Sequence, residues 1–148
     1  MLHYDASVSD PGAVTWLTKD KRCKVSYNWL VLDDGSVIEV APPSARAWHA
    51  GVCQPSPTAP SYKDANSAFY GIAVAATAGD HATEAQENAV IDLCLDIFER
   101  EKWKKSDVFR IVGHNVEAWP RGRKVDPEGP EPSDPVLSVD DIREAVRG

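Results

Sequence analysis

The sequence predicts a single mixed α/β domain covering residues 1–148. Strand-like segments alternate with amphipathic helical segments along the chain, which is the pattern of a sheet flanked by helices. A length of 148 residues is typical of one domain, and 43% hydrophobic residues are enough for one core. No internal repeat or low-complexity segment interrupts the alternation.

The N-terminal part of the chain is predicted to form a strand, a helix and a second strand. Residues 1–4 are apolar or aromatic apart from His3 and predict a short strand. Asp10 is predicted to cap a helix that has Pro11 at its first position and ends near Lys19. Val25 to Leu32 has the residue types of a strand.

The middle of the chain predicts a hairpin, a long loop and a buried strand. Asp34-Gly35 is a two-residue turn signal ahead of the apolar residues between Val37 and Val40. Five prolines between Ala41 and Ala65 exclude regular structure from most of that segment, which predicts a functional loop. Tyr70 to Thr77 is apolar and predicts a strand buried on both faces.

The C-terminal half predicts two helices and one further strand. Thr83 and Gln86 have the spacing of a capping box, and the apolar positions that follow predict a helix to about Trp103. Phe109 to Val112 is a short apolar run that predicts a strand. Ser138 is expected to start the last helix.

Composition excludes several classes of protein. With a net charge of −7, the chain lacks the excess of positive charge that is typical of a nucleic-acid-binding domain. No apolar run approaches the ~20 residues that span a bilayer, and no signal-peptide pattern opens the chain, so we expect a soluble protein made in the cytoplasm. Three cysteines without Cys-x-x-Cys spacing predict neither a disulfide framework nor a cysteine-rich metal site.

Two histidines are predicted to lie at strand ends and could meet at one edge of the sheet. His3 belongs to the first strand, and His114 follows the strand predicted at residues 109–112. Neutral imidazole is a common zinc ligand, and a catalytic zinc takes three protein ligands and keeps one position open. Asp126, at the far end of the loop after His114, is the best candidate for the third ligand. Structural or solvated histidines are the alternative.

Five short blocks in consistent order, from residue 3 to about residue 127, carry a resemblance to a known family. The chain resembles the zinc-dependent N-acetylmuramoyl-L-alanine amidases, which include phage endolysins and peptidoglycan recognition proteins. The blocks are His3-Tyr4-Asp5-Ala6-Ser7, then Val25-Ser26-Tyr27-Asn28-Trp29 with Asp34-Gly35, then Ala47-Trp48-His49-Ala50-Gly51, then Asn66-Ser67 with Gly71-Ile72, and Val112-Gly113-His114 with Arg123-Lys124-Val125-Asp126-Pro127.

The resemblance implies a central mixed β-sheet flanked by helices and a zinc ion as cofactor. His3, His114 and Asp126 match the zinc ligands of the family. Tyr27 matches a tyrosine beside the metal, and Lys124 matches a basic residue two positions before the third ligand. In phage-type members these two residues support catalysis. By pattern alone, Tyr27 would be a core aromatic residue and Lys124 a solvated loop residue.

Other positions either extend the resemblance or depart from it. Trp48 and His49 fall where the family lines its substrate groove, although both could be ordinary loop residues. Ala73 stands where many relatives carry Glu after Gly-Ile, so a carboxylate base is missing there. This departure leaves Tyr27 and Lys124 as the polar groups available for catalysis.

The loop after His114 is slightly longer than is usual in the family, which leaves the third ligand open. Asp134, Glu117 and Glu128 compete with Asp126 for that role.

The function implied by the resemblance is hydrolysis of the amide bond between N-acetylmuramic acid and L-alanine in peptidoglycan. The expected partner is the peptidoglycan substrate alone, with neither nucleic acid nor a membrane span, and the expected state is a monomer. The expected setting is a phage or prophage endolysin that is made without a signal peptide and acts on the cell wall. A peptidoglycan-binding module without catalysis and a metal-free interaction protein are the alternatives.

Overall fold

The fold is built on a four-stranded mixed sheet. The computed structural model describes residues 1–59, 61–131 and 133–148. In chain order the elements are β1 (Leu2–Tyr4), α1 (Asp10–Lys19), β2 (Trp29–Val31), β3 (Val37–Glu39), α2 (Ala65–Ala68), β4 (Ile72–Val74), α3 (Glu84–Arg100), a 3₁₀ helix (Lys105–Arg110), α4 (His114–Glu117) and α5 (Val139–Arg147). The strand order is β1-β4-β2-β3, in which only the β2–β3 pair is antiparallel. The predicted mixed α/β fold is confirmed.

The two faces of the sheet bury different sets of side chains, because successive residues of a strand point to opposite faces. On one face, Leu2 and Tyr4 of β1 pack with β2, β4, α3 and α5 in the main hydrophobic core. On the other face, Leu30 and Ala73 pack with Ala13 of α1 in a smaller cluster. His3 lies between Leu2 and Tyr4, so its side chain is on the face opposite the main core.

Helix α3 confirms the predicted capping box and fixes the sheet through one buried amide. Thr83 Oγ1 accepts a hydrogen bond from the Gln86 N–H at 3.1 Å, and Gln86 Oε1 accepts from the Thr83 N–H at 2.9 Å. Gln86 Nε2 also donates to the carbonyl oxygens of Val31 and Ala75. The helix therefore holds β2 and the end of β4 through hydrogen bonds as well as through apolar contacts.

The predicted hairpin forms, but the strand before it is shorter than predicted. Trp29–Val31 pairs antiparallel with Val37–Glu39, and Gly35 takes a positive φ of 82° in the turn. The prediction that the strand begins at Val25 is wrong. The Ser26 N–H donates to the carbonyl of Trp48, in the long loop, so the chain before β2 pairs with the loop and not with the sheet.

The cap of α1 differs from the prediction by one residue. Ser9 is the N-cap residue, and its Oγ accepts from the Gly12 N–H. Asp10 is the first residue of the helix, and its carboxylate accepts from the N–H of Asp33 at 3.1 Å. The acidic side chain therefore ties α1 to the hairpin instead of capping the helix.

The strand predicted at Phe109 to Val112 is wrong. The chain forms a 3₁₀ helix through Arg110, and the Leu2 N–H donates to the Val112 carbonyl at 2.8 Å. Only an isolated bridge joins Leu2 to Gly113. This segment is apolar because Val108 and Ile111 are buried in the main core, and that burial does not require a strand.

The long loop predicted between β3 and α2 has neither helix nor strand in residues 41–59 and 61–64. Pro60, which belongs to that prediction, lies outside the described residues. Among the described helices, none combines the length and the apolarity needed to cross a bilayer.

Candidate metal centre

His3 provides the first functional side chain of the site. It occupies the middle of β1 and is 1% exposed. Its Nδ1 lies 2.8 Å from Asp126 Oδ2, and its Nε2 lies 3.0 Å from His49 Nδ1. Because the hydrogen bonds of β1 with β4 fix the backbone on both sides of His3, the ring has a defined position at the edge of the smaller core.

His114 and Asp126 are brought to the same point by backbone hydrogen bonds. The bond from the Leu2 N–H to the Val112 carbonyl places the start of α4 beside β1, and His114 is the first residue of that helix. The N–H of Asn115 donates to the carbonyl of Asp126 at 2.6 Å, which folds the later loop back onto α4. His114 Nδ1 then lies 3.0 Å from Asp126 Oδ2.

The hydrogen bonds of the Nε2 atoms show which ring nitrogen of each neutral histidine carries the proton. A carbonyl oxygen can only accept, so His114 Nε2 donates to Ala50 O at 2.7 Å, and His49 Nε2 donates to Phe69 O at 3.1 Å. The Nδ1 of neutral His49 is then an acceptor, and His3 Nε2 must donate to it. In the neutral rings, His3 Nδ1 and His114 Nδ1 therefore present lone pairs to Asp126.

Three acceptor atoms thus converge on one point, which is the arrangement that a metal cation requires. His3, His114 and Asp126 each offer one ligand atom, and these atoms lie within 4.8 Å of one another. In residues 1–59, 61–131 and 133–148, they are the one group of His, Cys, Asp and Glu side chains with this geometry. Two imidazoles and one carboxylate are a donor set that zinc accepts, with a fourth position left open.

Burial has opposite effects on the charges of these residues. Burial lowers the pKa of His3 to about 4, although Asp126 raises it by accepting a hydrogen bond from the ring when the ring is protonated. Burial also raises the pKa of Asp126, but hydrogen bonds from the protonated forms of His114 and His3 outweigh this effect and hold the pKa well below its usual range. Near neutral pH the pair is therefore a neutral imidazole and an ionised carboxylate, the forms that bind metal.

The three competing carboxylates have other partners. Glu117 is fully buried, but its carboxylate accepts from the Tyr62 hydroxyl at 2.6 Å and from the Ser56 N–H. Glu128 accepts from the side-chain amide of Asn115. Asp134 lies on the surface, 3.6 Å from His81. These contacts exclude the three side chains from the histidine pair.

Tyr27 lies beside His3, with ring centroids 5.1 Å apart. Its ring is 8% exposed and packs in the smaller core with Leu30 and Ala73. Burial, with the nearby charge of Asp126, raises the pKa of Tyr27, so its hydroxyl stays protonated and can donate a hydrogen bond. Ala73 pairs with His3 in the register of β1 and β4, so a methyl group occupies the position next to this ligand.

A surface groove adjoins the site at His114. It is lined by Lys24, Val25, Trp48, His49, Ala50, Gly51, Asn66, His114, Arg123 and Lys124. Trp48 is 60% exposed, and the Arg46 guanidinium lies 3.9 Å from its ring centroid. Lys124 is exposed at the rim, whereas His49 is 6% exposed and has both ring nitrogens in hydrogen bonds.

Sequence reasoning gave no role to two residues that the site depends on. Asn66 Oδ1 accepts from the N–H groups of His49 and Ala50 at 2.9 and 2.8 Å. Gly71 faces the ring of His49 so closely that a Cβ there would lie 2.7 Å from His49 Cγ. Both residues occur in the blocks that carry the family resemblance, but their spacing in the sequence did not indicate these contacts.

A buried cluster of two histidines and one aspartate, beside an open groove and at the edge of a mixed sheet, has the donor set of a metal site. The family model for N-acetylmuramoyl-L-alanine amidase matches residues 1–129, and the chain belongs to this family. No curated protein matches the chain.

Two solved structures share the fold. A selenomethionine derivative of AmpD superposes with a TM-score of 0.65 at 25% identity, over 83% of this chain and 60% of that one. AmiD from E. coli, in complex with the substrate anhydro-N-acetylmuramic acid-L-Ala-D-γ-Glu-L-Lys, superposes with a TM-score of 0.73 at 22% identity. That match covers 97% of this chain and 55% of AmiD. The chain thus spans less than two thirds of either protein.

The close approach of Gly71 to His49 gives a testable prediction. Gly71→Ala should lower the free energy of unfolding by about 1–3 kcal/mol, because the new methyl group overlaps the imidazole and neither can move freely. Urea denaturation measures the difference. Gly79→Ala is the matched control, since a Cβ at Gly79 meets nothing within 4 Å. Equal stability of the two variants would contradict the tight packing of His49.

Proposed function

We propose that the protein is a zinc-dependent N-acetylmuramoyl-L-alanine amidase that cleaves the amide bond between N-acetylmuramic acid and L-alanine in peptidoglycan. The observation that carries the proposal is the convergence of His3 Nδ1, His114 Nδ1 and Asp126 Oδ2, with His114 also lining an open groove. Membership of the amidase family supports this reaction. The peptidoglycan fragment bound by AmiD supports this class of substrate.

In this proposal His3, His114 and Asp126 hold the zinc ion. When bound, zinc supplies a Lewis acid that activates water and polarises the amide carbonyl. The protein contributes fixed ligand geometry, because each histidine has its outer nitrogen in a hydrogen bond and Asp126 has its backbone tied to Asn115. With two neutral rings and one carboxylate, the loaded site carries one net positive charge, which favours an anionic intermediate.

Lys124 and Tyr27 are the two polar groups proposed to assist catalysis. In this proposal the Lys124 ammonium, at the rim of the groove, stabilises negative charge that develops on the amide oxygen. Tyr27 lies beside His3 and stays protonated, and we propose that its hydroxyl orients the substrate carbonyl or the attacking water. Trp48 and His49 are proposed to line the substrate groove, with Trp48 providing an exposed ring for contact.

The proposed setting is a phage or prophage endolysin that acts on the cell wall as a monomer. In this setting the groove faces an insoluble polymer, so an open, shallow site is an advantage over an enclosed one. The positive side chains of Lys24, Arg123 and Lys124 along the groove suit the carboxylates of a peptide stem, despite the net charge of −7 of the whole chain.

The zinc assignment predicts one zinc ion per chain in the purified protein and none in His114→Ala. Removing one of three ligands leaves too few donors for tight binding. Metal analysis of both proteins after dialysis measures the difference. His81→Ala is the control, because His81 is exposed and its ring nitrogens face Asp134 and Pro135 and not the ligands. Full zinc occupancy in His114→Ala would rule out the ligand set.

The amidase assignment predicts a new free amino group on L-alanine, with the glycan strand intact. Digestion of purified cell walls, followed by N-terminal labelling and a reducing-sugar assay, measures both products. His114→Ala serves as the inactive control. New reducing ends would indicate a glycosidase and defeat the proposal. Tight binding to cell walls without product from the zinc-loaded protein would establish the binding-module alternative.

The roles of Lys124 and Tyr27 predict a loss of rate without a loss of structure. Lys124→Ala should lower kcat by about 10²- to 10³-fold with zinc retained, as expected when one stabiliser of an oxyanion is deleted. Tyr27→Phe removes only the hydroxyl and should lower the rate while thermal stability is nearly unchanged. Lys21→Ala, a change to another exposed lysine, is the control. Rates close to that of the wild type in both variants would show that other residues assist catalysis.

A further inference from the structure

The hydrogen-bond partners of the Nε2 atoms of both histidine ligands come from adjacent residues of one loop. The side chain of His49 contacts His3 Nε2 at 3.0 Å, and the carbonyl oxygen of Ala50 contacts His114 Nε2 at 2.7 Å. Two ligands that are 111 positions apart in the sequence are therefore held by a single dipeptide.

One buried side chain holds that dipeptide. Asn66, which is 7% exposed, accepts hydrogen bonds from the N–H groups of both His49 and Ala50 through its Oδ1. Asn66 itself lies in α2, whose N-cap Asp64 accepts from the Asn66 N–H. Phe69, one residue after α2, supplies the carbonyl that accepts from His49 Nε2. The same short helix and the residue after it thus fix the backbone and the ring of His49.

We propose that Asn66 and His49 are positioning residues that orient both histidine ligands toward the metal. Asn66 acts on His114 through the Ala50 carbonyl and on His3 through the His49 ring. Asn66, His49 and Ala50 together form a hydrogen-bonded frame. This frame forces His3 and His114 into the tautomer with a proton on Nε2, which leaves Nδ1 free as the ligand atom. The inference rests on the proposed zinc site and assigns to His49 a role beyond lining the groove.

This frame differs from ordinary loop packing in what it controls. Partners of this kind fix the ring orientation and the tautomer of a ligating histidine, and their loss typically costs about 10- to 100-fold in metal affinity or activity. A residue that only stabilises the loop would lower the free energy of unfolding and leave the zinc affinity of the folded protein unchanged. Zinc affinity and tautomer state therefore separate the two roles.

The test compares zinc affinity across matched variants by competition with a chromophoric chelator. Asn66→Ala and His49→Phe should each weaken zinc binding by about 10- to 100-fold. His49→Asn should restore much of the loss, because its side-chain oxygen lies close to the position of the histidine Nδ1 and can accept from His3. Gln86→Ala is the control, since Gln86 is another buried amide that bonds the carbonyls of Val31 and Ala75 and makes no hydrogen bond to any of the three ligands.

A second measurement uses the wild-type protein without metal. ¹⁵N chemical shifts should show His3 and His114 with protons on Nε2, and Asn66→Ala should show a mixture of tautomers. Wild-type affinity in Asn66→Ala and His49→Phe, or a loss no larger than in Gln86→Ala, would overturn the inference. If Asn66→Ala does not fold, the inference is still tested by comparing His49→Phe with His49→Asn and by the tautomers of the wild-type protein.

The outcomes distinguish this inference from the proposed function. A wild-type protein that binds zinc through this frame but releases no alanine amino groups would overturn the amidase proposal and leave the frame in place. A wild-type protein that cleaves peptidoglycan with zinc, while Asn66→Ala and His49→Phe bind zinc equally well, would overturn only the frame. Absence of zinc binding in the wild type would overturn both.

Discussion

Along β1 the side chains alternate between the two faces of the sheet, and the arrangement of the site depends on this alternation. Leu2 and Tyr4 are buried in the main core against α3 and α5, which fixes the strand. His3 must then face the other side, where there is room for a polar cluster. A shift of β1 by one residue would bury the imidazole in the apolar core and remove a ligand from the site.

Burying three titratable side chains at one point is costly unless each of their polar atoms has a partner. Here the Ala50 carbonyl accepts from His114 Nε2, and the ring of His49 accepts from His3 Nε2. The His49 ring is itself held by the Phe69 carbonyl. The atoms that remain without a donor are the ones that face each other across the site. The same hydrogen bonds that make burial tolerable therefore leave an electron-rich point that a cation satisfies.

Patterns of local origin were predictable from the sequence, whereas contacts made across the fold were not. The capping box at Thr83 and the turn at Asp34-Gly35 depend on neighbouring residues, and both form as predicted. The apolar run at residues 109–112 indicated burial correctly but the wrong backbone, because a buried 3₁₀ turn and a strand have similar short patterns.

The candidate site shows the same difference between what the sequence could predict and what only the folded contacts reveal. Family resemblance identified His3, His114 and Asp126, and the structure brings their ligand atoms together. Nothing in the spacing of Asn66 indicated that its side-chain oxygen holds the loop behind two histidines, since that contact exists only after α2 packs against the loop. Asp10 was assigned to a cap by its position before Pro11, yet it pairs with the hairpin.

The most direct test of the proposed zinc site is a crystal structure of the zinc-loaded protein, with data collected at the zinc absorption edge. We predict one anomalous peak between His3 Nδ1, His114 Nδ1 and an oxygen of Asp126. The expected distances are about 2.0–2.1 Å to the nitrogens and about 2.0–2.2 Å to the oxygen. A peak held through Nε2 of either histidine, or located at Glu117 or any other group, would contradict it.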